Sequence, residues 1–364
     1  MDRKKKISFI IGALSPGGAE RVISTLSNQL IEKYDITIIT FIKSTPFYSL
    51  DNRIKVMYCE DTIPTPNSFL DSLKLNYHLT KRVSKIIKQE KINIAIGFIT
   101  SANIIAIIAS KINKIPCIIS ERNNPIIVKV SKFWSTLRLL FYPMTSKIVL
   151  QTNGVKLFYL NKIKEHKMVV IPNPISSKLA LLENKDIRKE KIILTVGRLE
   201  PHKCQDLILK AFKNIETKGW KLIIVGIGPQ EKQLKEYVKN NGLENKVEFT
   251  GKIKQIENYY NKAGMFVFAS RYEGYPNVII EAMSFGIPTI SSNCDFGPSD
   301  IISDGENGYL FPVDNQVELE KKITLLIDNQ EIREKFAKNA RSNTKKFQNK
   351  IVTKQWEKII ESLI

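Results

Sequence analysis

The feature that most constrains the fold is a regular alternation of short apolar runs with longer amphipathic segments along nearly all of the 364 residues. The runs ISFII, ITIITFI and INIAIGF are rich in β-branched residues, and segments of helical periodicity stand between them. Strands that alternate with helices in this way predict parallel sheets covered by crossover helices. We therefore expect an α/β protein built from doubly wound sheets.

The alternation pauses once, at the proline-bearing stretch NPISSKLALLENKDIRKE, and then begins again. A chain of this length exceeds one hydrophobic core, since roughly 100 to 200 residues per domain is usual. The two halves share the same order of elements, which predicts two Rossmann-like domains facing a central cleft. We expect the first domain at residues 1–172 and the second at 173–348, with a last helix at about 349–364 packing back on the first.

The charge of the chain is strongly positive, with 56 Lys and Arg against 36 Asp and Glu and a net charge of +20. Residues 1–172 hold 26 of the basic and 11 of the acidic residues, so the first half carries most of the excess. Such a balance predicts an anionic partner, such as phosphate groups, nucleic acid or a lipid surface. Aromatic residues are not interleaved with the basic ones, and no known nucleic-acid-binding module is recognised in the sequence. We therefore expect no nucleic-acid partner.

Two segments imitate membrane elements. The basic, apolar amino terminus is similar to a signal peptide, but the glycine turn and helical pattern after it favour a first strand, turn and helix. Residues 92–110 carry no charge, yet the polar residues among them predict a short strand and a buried helix rather than a transmembrane span. The four cysteines are scattered and form no C-x-x-C pair, so we expect reduced core residues.

The most informative segment is RYEGYPNVIIEAMSFGIPTI, which follows the apolar strand MFVFAS and turns into a helix. Glu273 stands in the turn, and Glu281 follows about two helical turns later. The backbone N–H groups at the start of this helix favour an anion, because they lack helical partners and lie at the positive end of the helix dipole. The residues at this start are Gly274, Tyr275, Pro276, Asn277 and Val278.

A second segment, IILTVGRLEPHKCQDLILKAF, predicts a strand, a loop and a helix, with Arg198 and Lys203 five residues apart in the loop. Two cations in such a loop can hold a diphosphate and stabilise charge on a leaving group. The sequence has no D-x-D or H-E-x-x-H motif and no cluster of Cys and His, so a metal-bridged diphosphate is not indicated.

A third segment, LSPGGAER, places Gly17 and Gly18 directly before the first helix. Glycine is required where the backbone approaches a ligand closely or adopts a positive φ. These glycines and Gly12 do not form the G-x-G-x-x-G fingerprint of a dinucleotide-binding dehydrogenase.

The run of glutamate, glycine, proline and glutamate around Glu273 resembles the signature of glycosyltransferase family 4, and Arg198 and Lys203 look like that family's arginine and lysine pair. The resemblance spans nearly the whole chain and implies the GT-B fold, retention of anomeric configuration and independence of a metal cofactor. It also implies that Arg198, Lys203 and Glu273 are catalytic and that Glu281 holds the ribose hydroxyls. Cys204 departs from the family, because most members have glycine at this position.

By the same resemblance, Gly17 and Gly18 face the donor phosphate and the acceptor. Many family members have a histidine after the strand PCIIS, where this chain has Glu121, Arg122 and Asn123. These three residues are candidates for contact with the sugar or the acceptor, and an ordinary polar loop is the alternative. No histidine general base is expected. The stretch NCDFGPSDII resembles a loop of members that add hexosamines to lipid-linked glycans.

We therefore expect a retaining glycosyltransferase that moves an N-acetylhexosamine or hexose from a UDP-sugar to a polyprenyl-diphosphate-linked glycan or a surface polysaccharide. A non-catalytic protein that binds sugar nucleotides, or a GT-B epimerase or phosphorylase, is the alternative.

Two segments of the first half also predict contact with an anionic membrane. One is a basic helix near residues 69–89. The other is an apolar, aromatic helix over 130–144, flanked by Lys129, Lys132 and Arg138. Packing into a core is the alternative for the second helix. We expect a cytoplasmic enzyme at the inner face of the plasma membrane.

Overall fold

A computed structural model describes residues 4–122, 125, 132–175, 179, 181–184 and 186–364, except for the side chain of Lys132. The chain divides into two compact units. The amino-terminal unit contains Met1–Pro174 and Asn349–Ile364, and the carboxyl-terminal unit contains Ile175–Gln348.

The amino-terminal unit is built on a seven-stranded parallel sheet of order β3-β2-β1-β4-β5-β6-β7. Its register places Ile7 of the first strand beside Ile36 of the second and Ile94 of the fourth. The strands are β1 (Lys6–Ile11), β2 (Asp35–Ile42), β3 (Lys55–Glu60), β4 (Ile94–Phe98), β5 (Cys117–Ser120), β6 (Lys147–Leu150) and β7 (Met168–Val170).

The carboxyl-terminal unit is built on a six-stranded parallel sheet of order β10-β9-β8-β11-β12-β13. The strands are β8 (Glu190–Val196), β9 (Lys221–Val225), β10 (Val247–Gly251), β11 (Ala263–Phe268), β12 (Thr289–Ser292) and β13 (Tyr309–Phe311). The prediction of an α/β protein with two doubly wound, Rossmann-like sheets is confirmed.

Helices cover both sheets. In the amino-terminal unit they are α1 (Gly18–Leu30), α2 (Phe69–Glu90), α3 (Thr100–Ile112), α4 (Lys132–Phe141) and α5 (Asn153–Tyr159). The carboxyl-terminal unit contributes α6 (Gln205–Asn214), α7 (Glu231–Asn240), α8 (Glu257–Lys262), α9 (Asn277–Ser284), α10 (Pro298–Ile301), α11 (Gln316–Asp328) and α12 (Gln330–Thr344). The chain ends with α13 (Asn349–Glu361).

The last helix belongs to the amino-terminal unit because its apolar face completes that unit's core. Trp356 is fully buried, and its ring stacks on the Phe98 ring at 5.8 Å. Val352 and Ile360 are buried in the same cluster as the central strands. At the surface, the Lys33 ammonium lies 2.8 Å from the Glu357 carboxylate.

The two segments that imitate membrane elements are parts of the amino-terminal core. Residues 6–11 form the buried strand β1, and residues 92–110 supply β4 and most of α3. In the described part of the chain, no helix has both the length and the apolar character to cross a membrane.

The order of each sheet reverses at one point, between β1 and β4 in the first sheet and between β8 and β11 in the second. The loops that follow such a pair of strands diverge to opposite sides and leave a crevice at the carboxyl edge, where open α/β sheets bind ligands. In the second sheet, these are the loops that carry Arg198 and Glu273.

Candidate active site

The first loop of the candidate site joins β8 to α6 and contains Arg198 and Lys203. It closes with a short 3-10 turn, Pro201–Lys203, and then with Cys204 in the left-handed conformation, at φ 52° and ψ 40°. This backbone explains why glycine is usual at the position, since a Cβ atom is unfavourable there. Cys204 adopts this left-handed conformation although it has a Cβ atom, and its side chain is fully buried. Burial raises the pKa of its thiol to about 11.

The second loop follows β11 and brings Glu273 to Lys203. The Lys203 Nζ atom lies 2.5 Å from Glu273 Oε1, and the two side chains are only 17% and 11% exposed. Seventy residues separate the partners in the sequence, and the switch in strand order brings them together. A cation and a carboxylate therefore stand side by side at the carboxyl edge of this sheet.

Arg198 lies in the same loop as Lys203 but in a different environment. Its side chain is 73% exposed, and its Nη1 atom lies 2.7 Å from Glu200 Oε1. Because a guanidinium carries five donors, this single ion pair leaves donors of Arg198 for a further acceptor. The three residues with predicted catalytic roles thus belong to one pair of adjoining loops.

Hydrogen bonds and a ring stack join these two loops. The Arg271 N–H donates to the His202 carbonyl oxygen at 2.8 Å, and Ser270 Oγ donates to the same oxygen at 3.2 Å. The His202 and Tyr272 rings stack at 4.5 Å with an interplanar angle of 9°. Burial lowers the pKa of His202, and nearby Lys203 lowers it further. The stack therefore joins the residue before Lys203 to the residue before Glu273.

Sequence reasoning missed His202 and Tyr272, because their contact joins residues 70 positions apart. Each of them stands next to a motif residue, His202 before Lys203 and Tyr272 before Glu273. Aromatic character directly beside both charges was the one available hint.

Two glycine-containing loops pack against this arrangement. Gly226 has a φ of 146°, and a Cβ atom on it would lie 1.9 Å from the Gly197 carbonyl oxygen. The loop after β9 therefore lies directly on the backbone beside Arg198. Gly297 has a φ of 105°, and its Cβ would meet Pro276 Cδ at 2.4 Å. The stretch NCDFGPSDII thus packs on the turn that starts α9.

Glu281 lies on α9, about one helical turn beyond its first residue Asn277, and is largely buried. The Tyr260 hydroxyl lies 3.3 Å from Glu281 Oε2 and donates to it. Tyr275 is also buried, among the apolar residues under the helix. The predicted donor-binding residues Gly274, Tyr275, Pro276, Asn277, Val278 and Glu281 all belong to this turn and helix.

In the amino-terminal unit, Gly17 and Gly18 stand where α1 begins. Gly17 has an extended backbone, with a φ of −174°, which any residue can adopt. The conformational reason for glycine therefore does not apply to Gly17. A Cβ atom there would lie 2.1 Å from Glu20 Oε2, so the end of the Glu20 side chain would have to move.

Glu121 and Arg122 follow β5 and are both buried. The Tyr142 hydroxyl donates to Glu121 Oε2 at 2.9 Å, and the Tyr159 hydroxyl lies 3.3 Å from the same oxygen. Burial and then the Glu121 carboxylate raise the pKa of both tyrosines. The Glu121 side chain therefore bonds to tyrosines of its own unit, and its predicted contact with the sugar or the acceptor stays a prediction.

The Arg122 guanidinium lies 4.9 Å from the centre of the Phe98 ring and 5.9 Å from that of Trp356. Its Nη1 atom donates to Asn173 Oδ1 at 2.5 Å. Arg122 therefore links β5 to the last helix. Asn123, the third candidate of this loop, lies outside the described residues.

In the described part of the chain, the acidic, histidine and cysteine side chains are dispersed. No group of three or more His, Cys, Asp or Glu side chains there is placed to hold a metal ion.

Two family models and several known glycosyltransferases match nearly the whole chain. The model of Glycosyltransferase Family 4 matches residues 16–179, and that of Glycosyl transferases group 1 matches residues 180–343. The chain is 32% identical, over 98% of both chains, to the "GalNAc-alpha-(1->4)-GalNAc-alpha-(1->3)-diNAcBac-PP-undecaprenol alpha-1,4-N-acetyl-D-galactosaminyltransferase" of Campylobacter jejuni. It is 28% identical to the amylovoran biosynthesis glycosyltransferase AmsD of Erwinia amylovora, over 98% of this chain and 99% of the relative.

Solved structures show the same fold. The lipopolysaccharide outer core galactosyltransferase WaaB in its apo form superposes with a TM-score of 0.81 at 21% identity, covering 99% of this chain and 100% of the other. The Anabaena protein Alr3699/HepE in complex with UDP also gives 0.81, at 19% identity over 98% and 100% of the two chains. The chain therefore belongs to glycosyltransferase family 4 and is a glycosyltransferase of the GT-B fold.

Proposed function

We propose that this glycosyltransferase transfers an N-acetylhexosamine from a UDP-sugar to a polyprenyl-diphosphate-linked glycan, with retention of anomeric configuration. The observation that carries the proposal is the paired Lys203 and Glu273 at the switch point of the second sheet, with Arg198 exposed in the same loop. The names of two relatives from Campylobacter jejuni, both N-acetylgalactosaminyltransferases with diphospho-undecaprenol acceptors, support this acceptor class.

The geometry of the pair suits the charge separation of the reaction. As the bond to the leaving diphosphate lengthens, negative charge grows on the phosphate and positive charge grows at the anomeric carbon. Lys203 and Arg198 stabilise the first charge, and Glu273 stabilises the second. Because Lys203 and Glu273 are already fixed against each other, little reorganisation accompanies the reaction.

We assign the remaining residues of the turn to the donor. Backbone N–H groups at the start of α9, between Gly274 and Val278, receive the diphosphate, because a helix N-terminus favours an anion. Pro276 has no N–H and Asn277 N–H donates to the Tyr275 carbonyl oxygen, so these two residues are not donors to it. Glu281 accepts the ribose hydroxyls. Gly17 and Gly18 lie near the donor phosphate and the acceptor, and the loop of Glu121, Arg122 and Asn123 stays the candidate for contact with the acceptor or the sugar. UDP is bound in two structural neighbours, HepE with UDP and the pneumococcal GtfA with UDP and GlcNAc, which supports a UDP-linked donor.

Two cations at the diphosphate also lead us to propose chemistry without a metal cofactor. The lipid-linked acceptor and the positive charge of the chain lead us to propose a cytoplasmic enzyme held peripherally at the inner face of the plasma membrane. We favour sugar transfer over epimerase and phosphorylase activities, because the two Campylobacter jejuni relatives are N-acetylgalactosaminyltransferases.

A transfer assay tests the proposal directly. The protein is incubated with UDP-GlcNAc, UDP-GalNAc, UDP-glucose or UDP-galactose and a polyprenyl-diphosphate-linked oligosaccharide, with and without EDTA. We expect an N-acetylhexosamine to be transferred with an α-linkage by NMR and at an unchanged rate in EDTA. Glu273→Gln serves as the inactive control.

Three results would contradict parts of the proposal. A β-linked product excludes retention. Loss of turnover in EDTA that magnesium restores excludes metal independence. Consumption of UDP-sugar without any glycosylated product excludes the acceptor class. Thermal shift with UDP gives an independent measure, since a ligand at 100 times its Kd adds about 2.7 kcal/mol of stability.

A further inference from the structure

Tyr260 is a fully buried tyrosine to which the proposed reaction gives no role. It lies near the end of α8, the helix that leads directly into β11. Its hydroxyl donates to Glu281 Oε2 at 3.3 Å, and Glu281 lies on α9, the helix that follows the same strand. The bond therefore joins the helix before β11 to the helix after it, and it ends on the carboxylate to which we assign the ribose.

The ring of Tyr260 packs against two other aromatic rings. Their centres lie 5.4 Å away for Phe285 and 6.4 Å away for Phe266. Phe266 is in β11, and Phe285 ends α9 about one helical turn after Glu281. Both of these side chains are fully buried. Because a close-packed interior leaves side chains little rotational freedom, the hydroxyl of Tyr260 is held in one direction.

The backbone around Tyr260 is held as well. Lys189 Nζ donates to the Tyr260 carbonyl oxygen at 2.8 Å. The next residue, Asn261, accepts from Asn184 N–H at 2.8 Å and donates to the Leu182 carbonyl oxygen at 2.9 Å. All three partners belong to the segment that precedes β8, more than 70 residues earlier in the chain. Ring and backbone together fix Tyr260, as is required of a residue that orients another side chain.

Glu281 is a buried carboxylate that needs such an anchor. The terminal torsion of a glutamate side chain is broad, so packing alone does not fix the plane of its carboxylate. Burial of the charge is costly unless hydrogen bonds are made to it. An ionised carboxylate has about four acceptor positions, so Glu281 can accept from Tyr260 and from both ribose hydroxyls together. The bond from Tyr260 thus sets the direction of the carboxylate and is compatible with its proposed ligand.

We propose that Tyr260 is a positioning residue that orients the Glu281 carboxylate toward the ribose hydroxyls of the nucleotide. The inference rests on the proposed role of Glu281 and deepens it, because it names the side chain that holds the carboxylate in place. A purely structural role is the alternative, since a buried tyrosine hydroxyl needs a hydrogen-bond partner in any case. Only the positioning role depends on the ribose hydroxyls of the ligand.

Calorimetric titration of the full chain distinguishes the two roles. Tyr260→Phe removes the hydroxyl and keeps the ring. It should weaken the affinity for UDP about five- to tenfold, less than Glu281→Gln, because Glu281 keeps its charge and loses only its orientation. The affinity for 2′,3′-dideoxyuridine diphosphate, which lacks both ribose hydroxyls, is measured by competition. It should agree within about twofold between the variant and the wild type, since the two deletions act on one interaction.

Transfer kinetics give a second readout. Ribose contacts are made equally in the ground state and the transition state, so Tyr260→Phe should raise the KM for the UDP-sugar and leave kcat within about twofold of the wild type. In the Glu281→Gln background, Tyr260→Phe should have no further effect on UDP affinity. A fall in kcat with an unchanged KM would contradict the inference.

The matched control lies next to Tyr260 on the same helix. Tyr259→Phe deletes the same hydroxyl group from a ring that lines a groove with Lys191 and Lys262, and UDP should bind this variant like the wild type. Phe285→Leu is a second test that keeps the hydroxyl of Tyr260. By loosening the packing of the ring, it should weaken UDP binding about threefold and spare the dideoxy analogue.

Three results overturn the inference. One is a loss of stability in urea for Tyr260→Phe with unchanged UDP affinity, which indicates a structural role alone. Another is an equal loss of affinity for UDP and for the dideoxy analogue. The third is tighter UDP binding by Tyr260→Phe, because the hydroxyl would then compete with the ribose for Glu281.

Failure of the inference and failure of the proposed function give different results. If Glu281→Gln binds UDP like the wild type, the assignment of Glu281 to the ribose is wrong, and the inference fails with it. If Glu281→Gln weakens UDP binding and Tyr260→Phe does not, the inference alone fails. Sugar transfer by the wild type tests the reaction itself and does not depend on either outcome.

Discussion

Both sheets carry charged residues just beyond the carboxyl ends of their strands, but the two sets differ in environment. In the carboxyl-terminal unit, Lys203 and Glu273 form a pair beside the exposed Arg198. In the amino-terminal unit, the Glu121 carboxylate is buried and bonded to two tyrosine hydroxyls. Both sets are held by neighbours, but only the set of the carboxyl-terminal unit includes an exposed cation, Arg198, and a pair of opposite charges.

The largest expected effect concerns the two cations. Arg198→Ala and Lys203→Ala should each lower turnover about 100- to 1,000-fold, the usual cost of about 2.7 to 4 kcal/mol for one lost transition-state donor. They should differ in stability. Arg198 is exposed, so its loss should leave the free energy of unfolding nearly unchanged. Loss of Lys203 leaves Glu273 without its cation in a largely buried site, which costs about 3 to 5 kcal/mol.

Transfer kinetics and urea unfolding of both variants measure the two effects, with Lys213→Ala on α6 as a control that should change neither. Near-wild-type turnover in either variant would contradict the catalytic assignment. Equal free energies of unfolding of the two variants would show that the partly buried Lys203–Glu273 pair does not stabilise the folded protein.

The next effect separates the two glutamates. If Glu281 holds the ribose hydroxyls, Glu281→Gln should weaken the affinity for UDP by about 1.5 to 3 kcal/mol, the worth of a hydrogen bond to a charged group. Glu273→Gln should spare UDP affinity and lower the single-turnover rate, because Glu273 acts on the sugar in the transition state. Calorimetric titration with UDP provides the measurement. Equal losses of UDP affinity in both variants would refute the assignment.

The third prediction concerns Glu121, the buried carboxylate of the amino-terminal unit. Glu121→Gln keeps one acceptor oxygen but removes the charge that Tyr142 and Tyr159 bond to, so we expect a loss of about 1.5 to 3 kcal/mol in the free energy of unfolding. Turnover per folded molecule should stay within about threefold of the wild type. A large fall in turnover with unchanged stability would instead place Glu121 in contact with a substrate, and would break the comparison between the units.

Much of the fold and of the candidate site was predictable from the sequence, because the sequence patterns that indicate them are local. Runs of β-branched residues predicted both parallel sheets. The loop of Arg198 and the turn of Glu273 were each recognisable, since strand, loop and helix are contiguous in the chain. The direct contact of Lys203 with Glu273 follows from strand order, which adjoining residues do not reveal.

What the sequence did not predict depends on distant partners. Arg138 was expected at the surface because cations on amphipathic helices normally are, and its burial depends on Phe158 and Tyr159, about twenty residues away. The burial of Glu121 depends on Tyr159, 38 residues away. The stack of His202 on Tyr272 likewise joins two separate loops. Side-chain environment, unlike strand periodicity, is set by tertiary packing.

The smallest expected effect concerns the backbone beside the catalytic loop. Cys204 holds a left-handed conformation, which costs a residue with a Cβ atom about 1 to 2 kcal/mol. Cys204→Gly and Cys204→Ala both lose the buried sulfur, but only glycine relieves this cost. We therefore expect the glycine variant to be more stable than the alanine variant by about 1 kcal/mol in urea unfolding. At Cys117, buried in strand β5 of the other unit, the order should reverse, because glycine in a strand interior is destabilising. If alanine equals glycine at position 204, the left-handed backbone does not explain the family's usual glycine. If the glycine variant is more stable than the alanine variant at both positions, the loop and the strand do not differ in their preference for glycine.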